Sequence, residues 1–535
     1  MRSNRILWCI VLAHIAGLGL VGVHFRNALN TDAVAYLRIA SYYAGAKWGL
    51  AVSGYWGPLA SWWMAVFLKL GLPSLAVARG FMAFSAIVFF WGCWTVYRTF
   101  QLTDKWAITG AVLSALASLY WSVQFITPDL LLGGLMGFAV SRMLARDGFK
   151  TAAAWQAGLL WGLAYLAKAV AFPLAILAML AFGGLALREK AVNRRLVLRN
   201  LGLTLLAFGL VASPWILTLS LKYRAPTFST TPRITHALTG PPDADRYHPF
   251  ARTFHQPEPG RVTSWEEPSR MAYQDWSPIE SPAYAWHQLK VIARNVATCL
   301  ALLTSLNLAW LALLPALAVR RTRPGSGSGE ARSWAWALVL PALLMMIYLP
   351  CYVTLTEQRF FYGAFPFLFS ALALWVSHGR PTQAPLAGRI LEVNGWWLTV
   401  LGAVTPLLVA VFVIRNSPKF AGDCAVDLAR RIERANLSGP VAGSGMLTGG
   451  RAGLYAAFLL GQPWYGDEPH PDPVDFERSG ARLVVAVRHS ALASALERDP
   501  AFASLDERLF TSPAEAARFP LTVYEVNQRQ PGSSR

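Results

Sequence analysis

The chain has 535 residues, 55% of them hydrophobic and only 14% charged, with 22 Trp and a mean hydropathy of +0.38. This leaves too little polar surface for a soluble globular protein, and the long uncharged stretches point to membrane-spanning helices, because a hydrocarbon core of ~30 Å takes about 20 apolar residues to cross. The net charge of +19 does not argue for nucleic acid, since much of the excess sits in short loops between apolar segments, where it reports topology.

In chain order the apolar pattern predicts eleven spans, near 6–23, 80–97, 106–124, 129–145, 152–168, 170–187, 201–221, 296–319, 335–353, 360–377 and 396–414. Basic residues at Arg2/Arg5, Arg98/Lys105, Arg142/Arg146/Lys150, Arg188 to Arg199, Arg320/Arg321/Arg323 and Arg380/Arg389 then fall on one face, assigned to the cytoplasm. The first span lacks a clear small-x-small cleavage site and is read as a retained helix with a cytoplasmic N-terminus. Cys9, Cys93, Cys299, Cys351 and Cys424 show neither metal-type spacing nor a disulfide framework.

The first outer loop, 24–79, holds a helix-like run (NTDAVAYLRIASYYAG) and an aromatic apolar segment (GYWGPLASWWMAVFLKLGL, 54–72). Crossing by 54–72 would put the later basic loops outside, so both pieces are read as an amphipathic platform in the outer interface. Residues 152–187 carry Lys168 as their one charge. As one helix they would be about 54 Å long, so a hairpin turning near Lys168 to Pro173 is expected.

A second outer loop, 222–292, is rich in Pro, aromatic and charged residues, and loops of such length are usually functional or disordered. Residues 322–330 read as a cytoplasmic linker. From 416 to 535 the composition changes to that of a small soluble α/β domain, with a helix at VDLARRIERAN, strands at ARLVVAVR and FPLTVYEV, and a turn at GSGMLTGG (443–450). The organisation is therefore a transmembrane unit, 1–415, followed by an extracytoplasmic α/β domain, 416–535.

On this topology five ionisable groups meet at one membrane boundary: Asp32, Asp129 in QFITPDLLLGG, Lys168, and Glu357 and Arg359 in TLTEQRFFYGAFPF. Charges at that depth are costly unless paired, hydrated or used. Each also has a plain structural reading. Asn30-Thr31-Asp32 could cap a helix, and Asp129 could favour the dipole of the helix it opens. Lys168 could snorkel, and Arg359 could pair with Glu357. Tyr36, Tyr42, Tyr55 and Trp56 read as an aromatic belt, or as the wall of a sugar pocket.

NTDAVAYLRIASYYAG followed by GYWGPLASWW resembles the first outer loop of polyprenyl-phosphate-dependent glycosyltransferases of the GT-C superfamily, which includes protein O-mannosyltransferases and the lipid A aminoarabinose transferases. ITPDLLL resembles the family's second acid, GLLWGLAYLAKAVAFP its lysine-bearing span region, and EQRFFYGAFPFL its late Arg-Tyr and Pro segment. The likeness covers 1–190 well and 350–370 loosely. Where some relatives have paired acids in the first loop, Ala33 follows Asp32 here. The resemblance implies a polytopic GT-C-like helical fold and inverting transfer from a polyprenyl-phosphate sugar.

The expected chemistry follows. Asp32 takes the proton of the acceptor hydroxyl, and Asp129 orients the acceptor or Lys168, or shares the base role. Lys168 and Arg359 stabilise the departing phosphate, while Tyr36, Tyr55, Trp56 and Glu357 line the substrate site. No cofactor is required; a divalent cation would suit two acids but is not expected. The acceptor is a glycolipid, polysaccharide or protein, and the setting a bacterial inner membrane with the C-terminal domain periplasmic. The alternatives are a transporter or flippase of lipid-linked sugars, whose sites usually lie at the midplane within repeats, and a non-catalytic envelope assembly protein.

Overall fold

Helix α1 (Arg2–His24) is apolar on all sides and leaves Trp8, Leu12 and Leu20 exposed, a surface that only a lipid environment covers without cost. The computed structural model describes residues 2–144, 151–188, 193–251, 254–312, 328–354, 357–378, positions 404, 405, 408 and 411, and residues 419–443, 446–447, 450–466 and 471–527. After α1 come α2 (Thr31–Ala44), α3 (Trp48–Ala51), α4 (Pro58–Lys69), α5 (Ser74–Thr99), α6 (Asp104–Gln124) and α7 (Asp129–Leu144). The bundle continues with α8 (Thr151–Ala167), α9 (Ala171–Leu187), α10 (Arg194–Tyr223), the short α11 (Thr231–Ala237), α12 (Pro282–Leu306), α13 (Ser328–Tyr348) and α14 (Phe365–His378).

Among the described residues six helices are long and apolar enough to cross a membrane: Asn4–His24, Ser74–Thr99, Asp104–Gln124, Arg194–Tyr223, Pro282–Leu306 and Gln358–Ser377. The expected hairpin is present, α8 stopping at Ala167 and α9 starting at Ala171. Pro173 stands in the first turn of α9, where a missing N–H costs nothing. The span expected at 296–319 is instead a helix over Pro282–Leu306. Ser281 caps it through Tyr284 N, Pro282 opens it, and Lys290 and Arg294 ride on its outer flank. The long connector expected over 222–292 accordingly ends at 281, not 292. Most of the segment 396–414 and most of the linker 322–330 lie outside the described residues.

Two close approaches set the site. Helices α5 and α7 cross at Gly92 and Gly134, where a Cβ on Gly92 would stand 2.5 Å from the Gly134 carbonyl oxygen. Small residues allow this backbone contact, and it fixes the end of α7 that bears Asp129. At the start of α4, a Cβ on Gly57 would stand 2.3 Å from the Ala167 carbonyl, so Tyr55 and Trp56 are held beside the α8–α9 turn.

The C-terminal α/β unit begins with α15 (Lys419–Arg434) and contains α16 (Ala452–Leu460). Its sheet has the order β1-β4-β6-β5. Strand β1 (Val441–Gly443) runs parallel to β4 (Leu483–Val487), pairing Val441 with Leu483. Strand β6 (Leu521–Val526) is antiparallel to β4 and to β5 (Phe502–Ser504). In the 443–450 stretch, where a turn was expected, β2 (Met446–Leu447) pairs with β3 (Gly450–Arg451) as a small hairpin leading into α16.

This unit docks on the first loop and on the long connector. Asn27 Nδ2 donates to Asp423 Oδ1 at 2.7 Å, Trp464 N donates to Val262 O at 2.6 Å and His255 N to Tyr465 O at 2.6 Å.

Candidate active site

The segment before α2 is pinned from two sides. The Arg79 guanidinium, from α5, donates to the Ala28 carbonyl, and Asn30 Oδ1 accepts Ile126 N at 2.9 Å. Asn30 occupies the N-cap position of α2 but makes no side-chain cap bond; its side chain ties this loop to the end of α6. Asp32 therefore enters the first turn of α2 with its position set by tertiary contacts, near a helix N-terminus that favours a carboxylate.

Asp32 has two donors. Arg359 Nη1 approaches Oδ2 at 2.6 Å, and Trp265 Nε1 approaches Oδ1 at 3.1 Å. Arg359 comes from the 3-10 turn Gln358–Ala364 that precedes α14. Its Nε donates to Glu357 Oε2 at 2.6 Å, and its guanidinium lies over Phe125 and Phe360, 4.9 and 5.7 Å from their centroids. Only 11% of the Arg359 side chain and 15% of that of Asp32 is exposed, so screening by water is weak and the pair is strong.

The second ion pair is Lys168–Asp129. Asp129 is 2% exposed; Oδ1 takes the Lys168 ammonium, and Oδ2 accepts no hydrogen bond from the described residues. A buried carboxylate oxygen without a donor is expensive, which makes it a seat for a donor from outside the chain. Lys168 also stands over Phe360, 4.6 Å from the ring centroid, so Phe360 links the two ion pairs. The structure thus brings together all five ionisable residues named from the sequence, each already paired within the set.

Tyr36 (3% exposed) and Trp56 (7%) are buried within the protein. Tyr36 packs edge-on against Trp56 at 4.9 Å, and Tyr55 against Trp56 at 4.7 Å and Trp265 at 5.4 Å. Burial, reinforced by the charges of Asp129 and Asp32, pushes the Tyr36 phenol well above its usual range. It is therefore a neutral group set near both acids.

Tyr42 donates to Glu266 Oε2 at 2.6 Å. Helix α2 buries eight of its fourteen residues, beneath the 254–271 part of the connector. The platform expected in the outer interface is, for α2, an interior layer, and the belt reading fails for Tyr36, Tyr42 and Trp56. The exposed aromatic surface is carried by Trp48 and Trp62.

Sequence reasoning missed the residues supplied by the long connector and the C-terminal unit. Trp265 holds Asp32 and gives its carbonyl to Trp56 Nε1 at 2.9 Å. His248 packs on Trp265 at 4.5 Å, and its Nε2 lies 3.4 Å from Tyr273 OH. Burial lowers the His248 imidazole to about 4, opposed by Asp32 and reinforced by Arg451, so it is neutral near pH 7. From the C-terminal unit, Arg451 lies over Phe250, 5.5 Å from its centroid, and Tyr455, buried in α16, reaches the Thr31 side chain.

One local signal was available. TSWE forms a capping box, Thr263 accepting from the turn and Glu266 bonding back to Thr263 N, and this pattern is readable from sequence. That the indole inside the box reaches Asp32, 233 positions away in sequence, was not. Among the described residues no group of three or more His, Cys, Asp or Glu is arranged to hold a metal ion.

No family model and no curated protein sequence matches the chain. Solved structures do. The crystal structure of ArnT from Cupriavidus metallidurans in the apo state superposes with a TM-score of 0.59 at 16% identity, covering 98% of both chains. ArnT from the same organism bound to undecaprenyl phosphate gives 0.55 at 16% identity, over 96% of this chain and 97% of that one. The fold is thus the one seen in ArnT, end to end. The architecture is ArnT-like, a helical membrane unit followed by a small C-terminal sheet. With its apolar helices, this makes the chain an integral membrane protein.

Proposed function

We propose that the protein transfers a sugar from a polyprenyl-phosphate donor to a hydroxyl of an extracytoplasmic acceptor, with inversion at the anomeric carbon. The observation that carries the reading is the Asp32 carboxylate, held by Arg359 and Trp265 beside the Lys168–Asp129 pair. A base and two cations in one largely buried cluster meet the needs of a displacement with a phosphate leaving group. The likeness of fold to an ArnT solved with undecaprenyl phosphate supports a lipid-phosphate donor.

In this mechanism the acceptor oxygen attacks the anomeric carbon while the bond from that carbon to the phosphate oxygen breaks. The hydroxyl proton passes to Asp32, which contributes ~10²–10⁴-fold as a general base. Negative charge gathers on the departing polyprenyl phosphate, where Arg359 and Lys168 stabilise it. Arg359 must turn its Nη1 edge from Asp32 to the phosphate, which also frees Asp32 to accept the proton. Glu357 keeps the Nε edge and so the orientation of the guanidinium. Asp129, with its open Oδ2, accepts from a sugar hydroxyl and holds Lys168. No metal enters these steps. The setting is a bacterial inner membrane with the N-terminus cytoplasmic and the C-terminal unit periplasmic.

The test is a lipid mass spectrum of cells carrying wild type, Asp32→Asn at matched membrane abundance, or no protein, with transfer in isolated membranes assayed with and without a chelator. One polyprenyl-phosphate sugar accumulating in both deficient strains, with chelator-resistant transfer, is the expected outcome. An Asp32→Asn profile equal to wild type would remove the base assignment, and transfer lost in chelator and restored by a divalent ion would remove the metal-free mechanism.

A further inference from the structure

Above the ion pairs, the long connector folds around a cleft of about 240 Å³ that the mechanism does not use. Its volume is slightly below the ~300–1,000 Å³ of pockets for drug-sized ligands, a fit for one ring and not for a lipid chain. The walls include Asp245, Tyr247, Pro249, His255, Tyr273 and Gln274. Arg246 also borders the cleft but is spent as a strut, bonding the Pro241 and Gln274 carbonyls and Asp243. His255 Nε2 is buried and has no hydrogen-bond partner among the described residues, and neither has His248 Nδ1 behind the wall. Unfilled imidazole nitrogens beside a polar cleft are groups awaiting a ligand's hydroxyls.

The cleft connects to the reacting centre through three contacts. Its wall residue Tyr273 meets His248 Nε2 at 3.4 Å, His248 packs on Trp265 at 4.5 Å, and Trp265 holds Asp32 at 3.1 Å. A ring in the cleft is thus separated from Asp32 by three side chains and is not the bearer of the reacting hydroxyl. Two phenol rings offer flat apolar faces, and a carboxylate, an imidazole and an amide offer dispersed hydrogen bonds. That mixture suits a pyranose, with its C–H face and peripheral hydroxyls. A peptide strand would call for a run of backbone donors and acceptors along a sheet edge, and no strand borders the cleft among the described residues.

We propose that this cleft is a carbohydrate subsite which binds a neutral pyranose unit of the acceptor other than the one that receives the transferred sugar, so that the acceptor is a glycoconjugate of at least two sugar units. The role of the bound ring as part of an acceptor rests on the transferase reading; the chemical class of the ligand does not. Asp245 and His255 recognise ring hydroxyls and Tyr273 supports the ring face. The His255 main chain is bonded to Tyr465 of the C-terminal unit, which therefore fixes one wall of the subsite.

The experiment is saturation-transfer NMR on the purified full chain in detergent micelles. The probes are methyl α-D-mannopyranoside, methyl β-D-glucopyranoside, methyl β-D-galactopyranoside and a Ser/Thr-rich decapeptide. At least one pyranoside should show saturable transfer to its ring protons. Asp245→Asn, an exposed side chain whose change leaves the fold intact, and Tyr273→Ala should weaken its apparent affinity by about tenfold, the loss of one hydrogen bond to a charged group or of one ring contact. Absence of transfer from all three pyranosides, affinity unchanged in both variants, or saturable transfer from the peptide alone would each overturn the proposal. The readout is binding, so its failure leaves the Asp32→Asn lipid profile untouched, and failure of that profile leaves the binding result standing.

Discussion

Replacing Arg359 with lysine tests whether the site depends on a cation or on a guanidinium. The side chain addresses two carboxylates from different edges, Nη1 to Asp32 and Nε to Glu357, each at 2.6 Å, while its plane covers Phe125. A lysine keeps the charge but ends in a single ammonium on a flexible stem, so it cannot hold both partners or the stacking. One charge-assisted hydrogen bond is then lost, worth ~1.5–3 kcal/mol. If the same contact serves the leaving phosphate, the transfer rate falls about 10- to 150-fold.

The assay is transfer in membranes normalised to protein, with the donor lipid followed by mass spectrometry and thermal stability measured in detergent. Arg359→Lys should lose no more than the ~1.5–3 kcal/mol of that one bond, because the net charge of the cluster is unchanged. Arg359→Leu should lose ~3–5 kcal/mol, because Asp32 and Glu357 are left without their cation. A lysine variant that turns over at the wild-type rate would refute the two-edged role. A leucine variant as stable as wild type would refute the electrostatic account of the cluster.

Three further changes probe the surroundings. Trp265→Phe keeps the ring against His248 and Trp56 but removes the donor to Asp32, so transfer should drop about tenfold with little change in melting temperature; an unchanged rate would make the indole contact incidental. Gly422→Ala would set a Cβ 1.9 Å from the Asn27 carbonyl oxygen, and relief of that clash should cost ~1–3 kcal/mol, read as earlier melting and faster proteolysis between the two units. His248 is held at about 4, below its ordinary value near 6.5. The unfolded chain therefore takes up the proton first as pH falls, and the stability tied to the neutral ring is complete above 6.5 and lost from 6.5 toward 4. His248→Gln should flatten the melting-temperature profile in that window, and a parallel profile would show that other groups set it.

The helices and the five ionisable residues were legible because a charge in apolar sequence stands out against its context. Asp32, Asp129, Lys168, Glu357 and Arg359 are each isolated from other charge clusters, and a topology built on loop lysines and arginines was enough to bring them to one end. Helix α12 was placed fourteen residues late at its start because Lys290 and Arg294 break the apolar run, although Ser281-Pro282 marks a helix start.

The aromatic residues of α2 misled for a different reason. Tyr36 and Tyr42 lie on an amphipathic helix in a loop, and nothing local says whether lipid or protein will cover it; the cover comes from Trp56 and α4 over Tyr36 and from residues 254–271 over Tyr42. Trp265, His248 and Tyr273 were hidden in a connector without periodicity, where function arises from long-range contact alone. The α/β unit was recognised from its strands, but its attachment through Asn27, Val262 and His255 has no sequence signature.

That attachment bears on how the protein is made. The turn carrying Trp265 is clamped between α2 below and the main chain of Trp464 above. The second donor to Asp32 is thus secured by pieces synthesised at opposite ends of the chain. The membrane helices can insert and pack before the C-terminal unit is in place, and until that unit docks the Trp265 turn lacks one of its two clamps. The geometry around Asp32 is therefore completed only when the C-terminal unit has folded and docked.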